Sequence, residues 1–303
     1  MPIIDYIQTT GGIIWTAACV PLGIFFAWLA VFIINRIPAS WLCEYGEAPS
    51  DELLGQRRVS LKKEGVIMSV VLCISFVLCR LQFNYGFDIY FIVLSLIILI
   101  AVMTAVCDLK YMIIPDQFTI ALAVLSAALS IYDIIRGFRI LHQYWWSPLV
   151  GIAIGGCTML IIDFIGMKLY KKDGMGFGDV KLFAAVGILT GIFGTVCTFA
   201  MSLVTATIVF TVIIAVSKLR TGKKTTEQAE NTENNDSDNS SEDIGNAENT
   251  DSNDESDDNE DAEATVSAKS YMAFGPYISA ALTIYIVLFD IVNYLANLYI
   301  DLF

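Results

Sequence analysis

Apolar runs of 17 or more residues recur along this sequence, and they restrict the possible folds more than any other feature. A helical run of this length crosses the ~30 Å hydrocarbon core of a bilayer. The chain has 303 residues, of which 56% are hydrophobic, which is too high a fraction for a soluble domain of this size. We therefore expect an all-α, polytopic transmembrane helical bundle of about eight spans, at residues 12–34, 65–82, 89–107, 117–135, 147–167, 181–195, 197–217 and 275–300.

The first and the sixth runs carry additional signals. The first follows MPIIDYIQTTGG, which has no basic n-region and contains Asp5, so we expect an uncleaved span and not a signal peptide. Residues 182–216 form one apolar stretch that would exceed the bilayer as a single helix. We expect the chain to fold back at Gly191 and Gly194.

Lysine and arginine are distributed unevenly between the two sides of the expected membrane. If the N-terminus lies outside, 15 of the 18 basic residues fall in the inside loops or at Lys181. The three on the other side are Arg80, Arg136 and Arg139. This bias follows the positive-inside rule, so we place both termini outside and the loops 35–64, 108–116, 168–180 and 218–274 in the cytoplasm.

About half of the acidic residues lie in one segment. Residues 225–268 contain 16 Asp or Glu and no Lys or Arg, and removing them from a net charge of −13 leaves the rest of the chain at +3. This stretch has too few large apolar residues to bury a core, so 219–269 is predicted to be a disordered acidic cytoplasmic loop. We divide the remainder into an N-terminal membrane region, 1–88, and a membrane core formed by 89–218 and 270–303.

Carboxylates gather where the expected spans meet the cytoplasmic interface. They are Asp108 and Asp116 in VCDLKYMIIPDQFT, and Asp173 and Asp179 in KKDGMGFGDVKL. Ionisable groups at membrane depth are costly, so they are functional candidates. In a partly dry site two carboxylates cannot both ionise comfortably, so one keeps a proton while the other can take one from water. Asp108 and Asp179 would in this way hydrolyse a peptide bond by general acid–base chemistry, with no metal.

Three glycines alternate ahead of the second aspartate: Gly174, Gly176 and Gly178. Each would cost about 1 kcal/mol in a helix interior, so we expect 173–178 to be extended or looped and a helix to begin near Asp179. Missing side chains there would let an extended substrate backbone approach the carboxylate. Pro115 similarly ends one helix and starts the next. Lys181 either acts electrostatically on Asp179 or extends to the interface, and both interpretations stay open.

Several other polar or small residues are expected to be structural. Gly151 and Gly155 are spaced as GxxxG and predict a close helix crossing in the fifth span. The seven cysteines include no CxxC pair, so neither a zinc site nor a disulfide framework is indicated. We expect His142 to lie at the interface, and we expect Asp163 to turn toward the interface at least as readily as to take part in chemistry.

The two aspartate motifs resemble those of the type IV prepilin peptidases, which are membrane aspartic peptidases of the GxGD class. The similarity rests on DLKYMIIPD and GMGFGDVKL, with support from MAFGPYISAA at 272–281, and it covers roughly residues 90–303. The resemblance implies that Asp108 and Asp179 are the catalytic aspartates and that Gly176, Gly178 and Lys181 complete the second motif. It also implies cleavage of the short basic leader, after a glycine, from type IV prepilins or pseudopilins at the cytoplasmic face of a bacterial inner membrane.

The N-terminal region departs from the pattern of this family. Many members have a GSFLN-like stretch, two CxxC pairs and a methyltransferase activity that uses S-adenosylmethionine. Here the GSFLN positions are occupied by 27–31, AWLAV, although Arg36 and Pro38 are in place, and the following loop holds only Cys43. The resemblance thus implies a peptidase that needs no cofactor or metal. Methyl transfer stays open, and S-adenosylmethionine is a cofactor only if that activity is retained.

Two other functions use the same features. The acids could serve an ion-coupled transporter, although we find no inverted repeat and the acids lie at the interface. Alternatively, a non-catalytic membrane scaffold could recruit a partner through 225–268. The expected partners of the peptidase are the lipid bilayer and a prepilin substrate, with no nucleic acid; the sequence does not indicate an oligomeric state.

Overall fold

Helices make up all of the regular structure in the part of the chain that is described. The computed structural model describes residues 10–43, 59–83, 89–137, 140–142, 144–170, 176–233, 273–292 and 294. The helices are α1 (Thr10–Arg36), α2 (Glu64–Gln82), α3 (Ile89–Tyr111), α4 (Asp116–Arg136), α5 (Ser147–Tyr170), α6 (Phe177–Glu233) and α7 (Gly275–Val287), with a 3-10 turn at Ala39–Leu42. The predicted all-α class is confirmed.

The first six helices are each long and apolar enough to cross a membrane. Large apolar side chains lie exposed on their outer surfaces, among them Ile67, Ile135 and Phe164. Such a surface suits contact with lipid, whereas a soluble monomer rarely exposes extended apolar patches. The chain is a polytopic helical membrane bundle. Helix α7 is apolar but has only 13 residues, so the total of eight spans and the sides of the two termini stay predictions.

Helix α6 reverses direction at Gly191. The backbone there has φ 64° and ψ −164°, a conformation that is essentially restricted to glycine. The rings of Phe183 and Phe199 lie 5.9 Å apart, whereas 16 residues of continuous helix would separate them by about 24 Å. The predicted fold-back at Gly191 is confirmed, and Gly194 lies within the returning segment.

The central helix of the bundle is α3. Twelve of its 23 residues are buried, and it contacts α1, α2, α4 and α7. Helix α1 packs mainly against α2, which places the N-terminal region against the same body as the rest of the bundle.

Helices α5 and α6 cross with their backbones in contact. A methyl group on Gly151 would overlap the carbonyl oxygen of Gly187, and a methyl group on Gly187 would overlap that of Gly151. One turn along, a methyl group on Gly155 would lie 2.6 Å from the carbonyl oxygen of Phe183. The close crossing predicted from the GxxxG spacing is confirmed. It fixes the first half of α6, which carries Asp179, against α5.

A buried polar cluster packs against the reversal at Gly191, at the end of the bundle opposite the start of α6. Asp133 is fully buried and accepts hydrogen bonds from the Tyr90 hydroxyl at 2.6 Å and from the backbone of residues 140–142. His142 Nε2 lies 2.9 Å from Ser130 Oγ, and a methyl group on Gly191 would lie 2.8 Å from His142 Nδ1. The His142 side chain is thus buried within the protein, and its expected position at the membrane interface stays a prediction. Burial lowers the pKa of His142 to about 4.

The structure divides into two compact units. One contains the bundle up to Thr205 and from Ala273 onward, and the other runs from Ala206 to Met272. In the second unit the backbone is helical through Glu233. The remainder of the predicted acidic loop, 219–269, lies outside the described residues, so its disorder and the predicted domain boundaries stay predictions.

Candidate active site

Asp108 and Asp179 line the same cavity although they are 71 residues apart in the sequence. The cavity has a volume of about 700 Å³ and lies in the first compact unit. Its other walls come from the loop that joins α3 to α4, from the starts of α4 and α6, and from the 3-10 turn after α1. Asp116, Gly176, Gly178 and Lys181 of the predicted site also line this cavity, whereas Pro115 only adjoins it. Asp173 and Gly174 lie outside the described residues.

Asp108 lies in the last turn of α3 and is 4% exposed. The helix continues beyond the expected end at residue 107 as far as Tyr111, and Met112, at φ 54°, then turns the chain. The backbone N–H of Gly275, at the start of α7, donates a hydrogen bond to the Asp108 carboxylate. Among the described residues, the Oδ2 atom of Asp108 has no hydrogen-bond partner. One carboxylate oxygen is therefore available to a molecule in the cavity.

Asp179 lies in the first turn of α6 and is 7% exposed. The helix begins at Phe177, two residues earlier than expected, and the backbone N–H of Asp179 donates to the Gly176 carbonyl at 3.0 Å. The Asp179 carboxyl lies close enough to Asp108 for the two charges to interact. Within the described ranges, its Oδ1 atom has no partner either. The two aspartates thus lie within electrostatic range of each other, and each keeps one oxygen that has no partner among the described residues.

The two described glycines of the motif have different surroundings. A methyl group on Gly178 would lie 3.2 Å from Cβ of Ile114, so this position packs tightly against the loop after α3. A methyl group on Gly176 would have no atom within 4 Å. Gly176 therefore borders open space in the cavity, as expected for a position that leaves room for a substrate backbone.

Asp116 and Lys181 form an ion pair across the cavity wall. Lys181 Nζ lies 2.9 and 3.0 Å from the two carboxylate oxygens of Asp116, and it also lies 5.0 Å from the ring centre of Phe177. Of the two interpretations of Lys181, neither included this contact. Pro115 occupies the N-cap position of α4 and so starts that helix as expected.

Two contributions to the site were not recognised from the sequence. One is Gly275, whose sequence signal is the AFGP stretch that supports the family resemblance. The other is the wall formed by Ser40, Trp41 and Cys43, which belong to the predicted N-terminal membrane region, 1–88. Nothing in the spacing of those three residues connects them to Asp108.

A metal site is not evident in the geometry. In the ranges that the structure covers, no three side chains of His, Cys, Asp or Glu converge closely enough to hold one ion. The cysteines described there are free thiols, and Cys43 is the one that lines the cavity.

The segment that carries both aspartates matches a known protein family. Residues 92–212 match the sequence model of the type IV leader peptidase family. We call residues 92–212 the type IV leader peptidase segment because of this match. The type IV leader peptidase segment contains α4 and α5, most of α3, and both passes of α6, whereas Gly275 and the 3-10 turn lie outside it.

A curated relative supports the same family. The prepilin leader peptidase/N-methyltransferase of Xanthomonas campestris pv. campestris is 28% identical to this chain over 145 residues. The match covers 47% of this chain and 47% of that relative, so it spans about half the length of each. No solved structure matches the chain.

Proposed function

We propose that this chain is a membrane aspartic endopeptidase that removes the short basic leader from type IV prepilins or pseudopilins. The observation that carries the proposal is the shared cavity of Asp108 and Asp179, both of which lie in the type IV leader peptidase segment. The distribution of basic residues supports a site at the cytoplasmic face of a bacterial inner membrane.

Hydrolysis in this site uses one ionised and one protonated aspartate. A hydrogen bond from a backbone amide stabilises a carboxylate, and Gly275 supplies one to Asp108, so we assign Asp108 as the base. Asp108 takes a proton from a water molecule while the water oxygen bonds to the carbonyl carbon of the scissile peptide bond. Asp179 donates its proton to the carbonyl oxygen. The tetrahedral intermediate then breaks its C–N bond and re-forms a carbonyl group. The proton held by Asp108 passes to the leaving amine, and a hydroxyl proton of the intermediate returns to Asp179.

In this proposal Gly176, Gly178 and the ion pair contribute to substrate binding. Gly176 leaves space for an extended peptide backbone beside Asp179, and Gly178 packs on Ile114 and so fixes the wall. The ion pair of Asp116 with Lys181 borders the same space, and its two hydrogen bonds join these side chains to each other. We therefore assign it a positioning role.

The N-terminal region takes part in the peptidase site in this proposal. Ser40, Trp41 and Cys43 line the cavity, which supports a role for this region that does not depend on methyl transfer. Methylation of the new N-terminus, with S-adenosylmethionine as the donor, remains a separate question that N-terminal analysis of the product addresses.

The test is leader removal by purified protein in proteoliposomes. The substrate is a synthetic peptide with a basic leader, a glycine before the scissile bond and an apolar segment of about 20 residues. Asp108→Asn and Asp179→Asn are each expected to abolish cleavage while the protein still inserts and folds. The matched control is Asp163→Asn, an acid in α5 that does not line the cavity. Near wild-type cleavage by either cavity variant would show that the dyad is wrongly assigned.

Deleting residues 225–268 separates the peptidase from a scaffold. The peptidase is expected to keep cleaving in detergent, because none of these residues belongs to the compact unit that contains the cavity. Loss of biological function with intact cleavage would instead favour a scaffold that recruits a partner through the acidic segment.

A further inference from the structure

A second, apolar groove continues from the candidate active site along the membrane-spanning helices. It has a volume of about 360 Å³ and lies between α4, α5 and α6. Asp116 and Lys181 line both this groove and the cavity, so the two spaces meet at the ion pair. Its remaining lining is Thr119, Ile120, Ala123, Ile152, Ala184, Ala185 and Ile188.

The groove walls are two parallel helical stripes. Asp116, Thr119, Ile120 and Ala123 follow one another at spacings of three, one and three residues, which places them on one face of α4. Lys181, Ala184, Ala185 and Ile188 repeat the same spacing on α6. Each stripe covers eight residues, or about 10 Å of helix. The groove therefore begins at the ion pair and runs about two helical turns into the apolar part of the bundle.

We propose that this groove holds the apolar segment of the substrate that follows the scissile bond. The inference rests on the proposed function and adds to it the surface that selects a membrane-embedded substrate. One polypeptide that occupies both spaces would place its scissile bond beside Asp108 and Asp179 and its apolar segment beside Ala123 and Ile188.

The composition of the lining decides which part of the substrate enters. Apart from the ion pair at its mouth and Thr119, the groove has only aliphatic side chains. A basic leader placed there would lose its hydration without gaining a charged partner beyond the mouth, which is costly. An apolar helix meets no such penalty.

Small side chains in the walls suit a helical occupant. Ala123, Ala184 and Ala185 let a neighbouring helix approach closely, as small residues do between helices in lipid. Ile120 is 61% exposed, so the groove is open at this side and a membrane-embedded segment can enter laterally.

Photo-crosslinking tests the position of the substrate directly. The crosslinker p-benzoylphenylalanine replaces Ile120 in the groove or Val124 one turn away, two side chains that are each 61% exposed on α4. The Asp179→Asn background keeps the synthetic substrate uncleaved. We expect several-fold more crosslinking to the apolar segment from position 120 than from position 124. Equal yields, or crosslinks to the leader instead, would overturn the proposal.

A cleavage assay with two substrates separates the groove from the active site. Ala123→Leu fills the groove, while Ala128→Leu makes the same change at an exposed position of α4 outside it. For the peptide with the apolar segment, Ala123→Leu is expected to lower kcat/KM about tenfold, mainly through KM. For a truncated peptide that ends shortly after the scissile bond, both variants are expected to match the wild-type protein within about twofold.

The outcomes distinguish the two proposals. If the wild-type protein cleaves neither peptide, the proposed function fails. Only the crosslinking result then tests whether the groove binds the apolar segment. If Ala123→Leu cleaves both peptides normally, or loses both to the same extent, the groove is not the site of the apolar segment even though the peptidase assignment stands.

Discussion

The first residue of α7, Gly275, lies directly against the Asp108 side chain of α3. Its N–H donates to the carboxylate, and a methyl group at this position would lie 2.5 Å from Asp108 Oδ2 and 2.8 Å from Cδ1 of Ile114. Because the positive end of the α7 dipole also points at the carboxylate, this contact both positions and stabilises the negative charge.

Replacing Gly275 by alanine should therefore impair catalysis more than folding. The added methyl group displaces the Asp108 carboxylate, and a displacement of about 1 Å can lower a rate about 100-fold. We expect Gly275→Ala to lower kcat for leader removal by about this factor. The matched control is Gly65→Ala in the first turn of α2, where the nearest atom would be 3.5 Å away. Equal activity of the two variants would contradict the role of Gly275.

Gly176 should be required for substrate binding and not for stability. Because a methyl group there meets no protein atom within 4 Å, Gly176→Ala is expected to change the free energy of unfolding by less than about 1 kcal/mol. It should nevertheless raise KM for the peptide substrate, since the methyl group occupies space beside Asp179. Gly166→Ala in α5, where a methyl group also meets nothing, is the control. An unchanged KM for Gly176→Ala would rule out this use of the open space.

The ion pair of Asp116 with Lys181 should contribute little to stability. Its side chains are 31% and 37% exposed, so Lys181→Met is expected to cost less than about 1 kcal/mol of unfolding free energy. We expect a larger effect on cleavage than that of Lys110→Met, which breaks a pair with Glu64 of similar exposure, at 38% and 36%, outside the cavity. Steady-state kinetics of the two variants make the comparison. Equal kinetics would limit the Asp116 pair to a structural role.

The reversal at Gly191 should tolerate no side chain. Alanine would be forced into a glycine-only conformation and would overlap Ser147 Oγ, so Gly191→Ala is expected to cost at least about 2 kcal/mol. Gly156→Ala provides the contrast, because it lies within a helix and its methyl group would contact only the Ala184 side chain, at 3.8 Å. That change should be neutral or stabilising by up to about 1 kcal/mol. Thermal unfolding in detergent measures the stability of both variants. A Gly191→Ala protein as stable as the wild type would show that alanine is not strained at this position.

His142 should make the stability of the bundle depend on pH. Its pKa is lowered to about 4 by burial, although the nearby charge of Asp133 partly opposes the shift. In the unfolded chain His142 takes up a proton near pH 6.5, so the unfolded state binds more protons between about pH 6.5 and 4. Stability from this group is therefore full above about pH 6.5 and falls as the pH drops toward 4. His142→Gln should show a shallower loss over this window in unfolding titrations; parallel curves for the two proteins would exclude His142 as the source.

The parts of the molecule that sequence predicts well are those set by local composition. Helix positions follow from the apolar runs, because each run forms a helix long enough to cross the bilayer, with its side chains either buried in the bundle or in contact with lipid. The reversal at Gly191 and the crossing at Gly151 follow from glycine itself, because it alone permits those backbone geometries. The sequence predicts that Asp108 and Asp179 lie close together, because both stand at helix ends on the same expected side of the membrane. The structure places them in one cavity.

What the sequence did not predict are contacts between distant segments. Lys181 lies two residues after Asp179, yet its carboxylate partner is Asp116, 65 residues away, and no local pattern encodes that choice. Gly275 follows the acidic segment, so its place beside Asp108 depends on how α7 packs against α3. His142 lies in a loop, and no apolar pattern marks it as buried, because its environment is built by Asp133 and Ser130 of α4.

The hydrogen bond from Gly275 also determines when, during synthesis of the chain, the site becomes complete. The ribosome makes α3 and the first half of α6 long before α7, because residues 219–269 lie between them. Until α7 has been synthesised and has packed against α3, Asp108 lacks its amide donor and the cavity lacks its helix N-terminus. In the proposed peptidase, a nascent chain that already holds both aspartates in the membrane therefore still has an incomplete site. Activity should begin only after α7 has packed against α3.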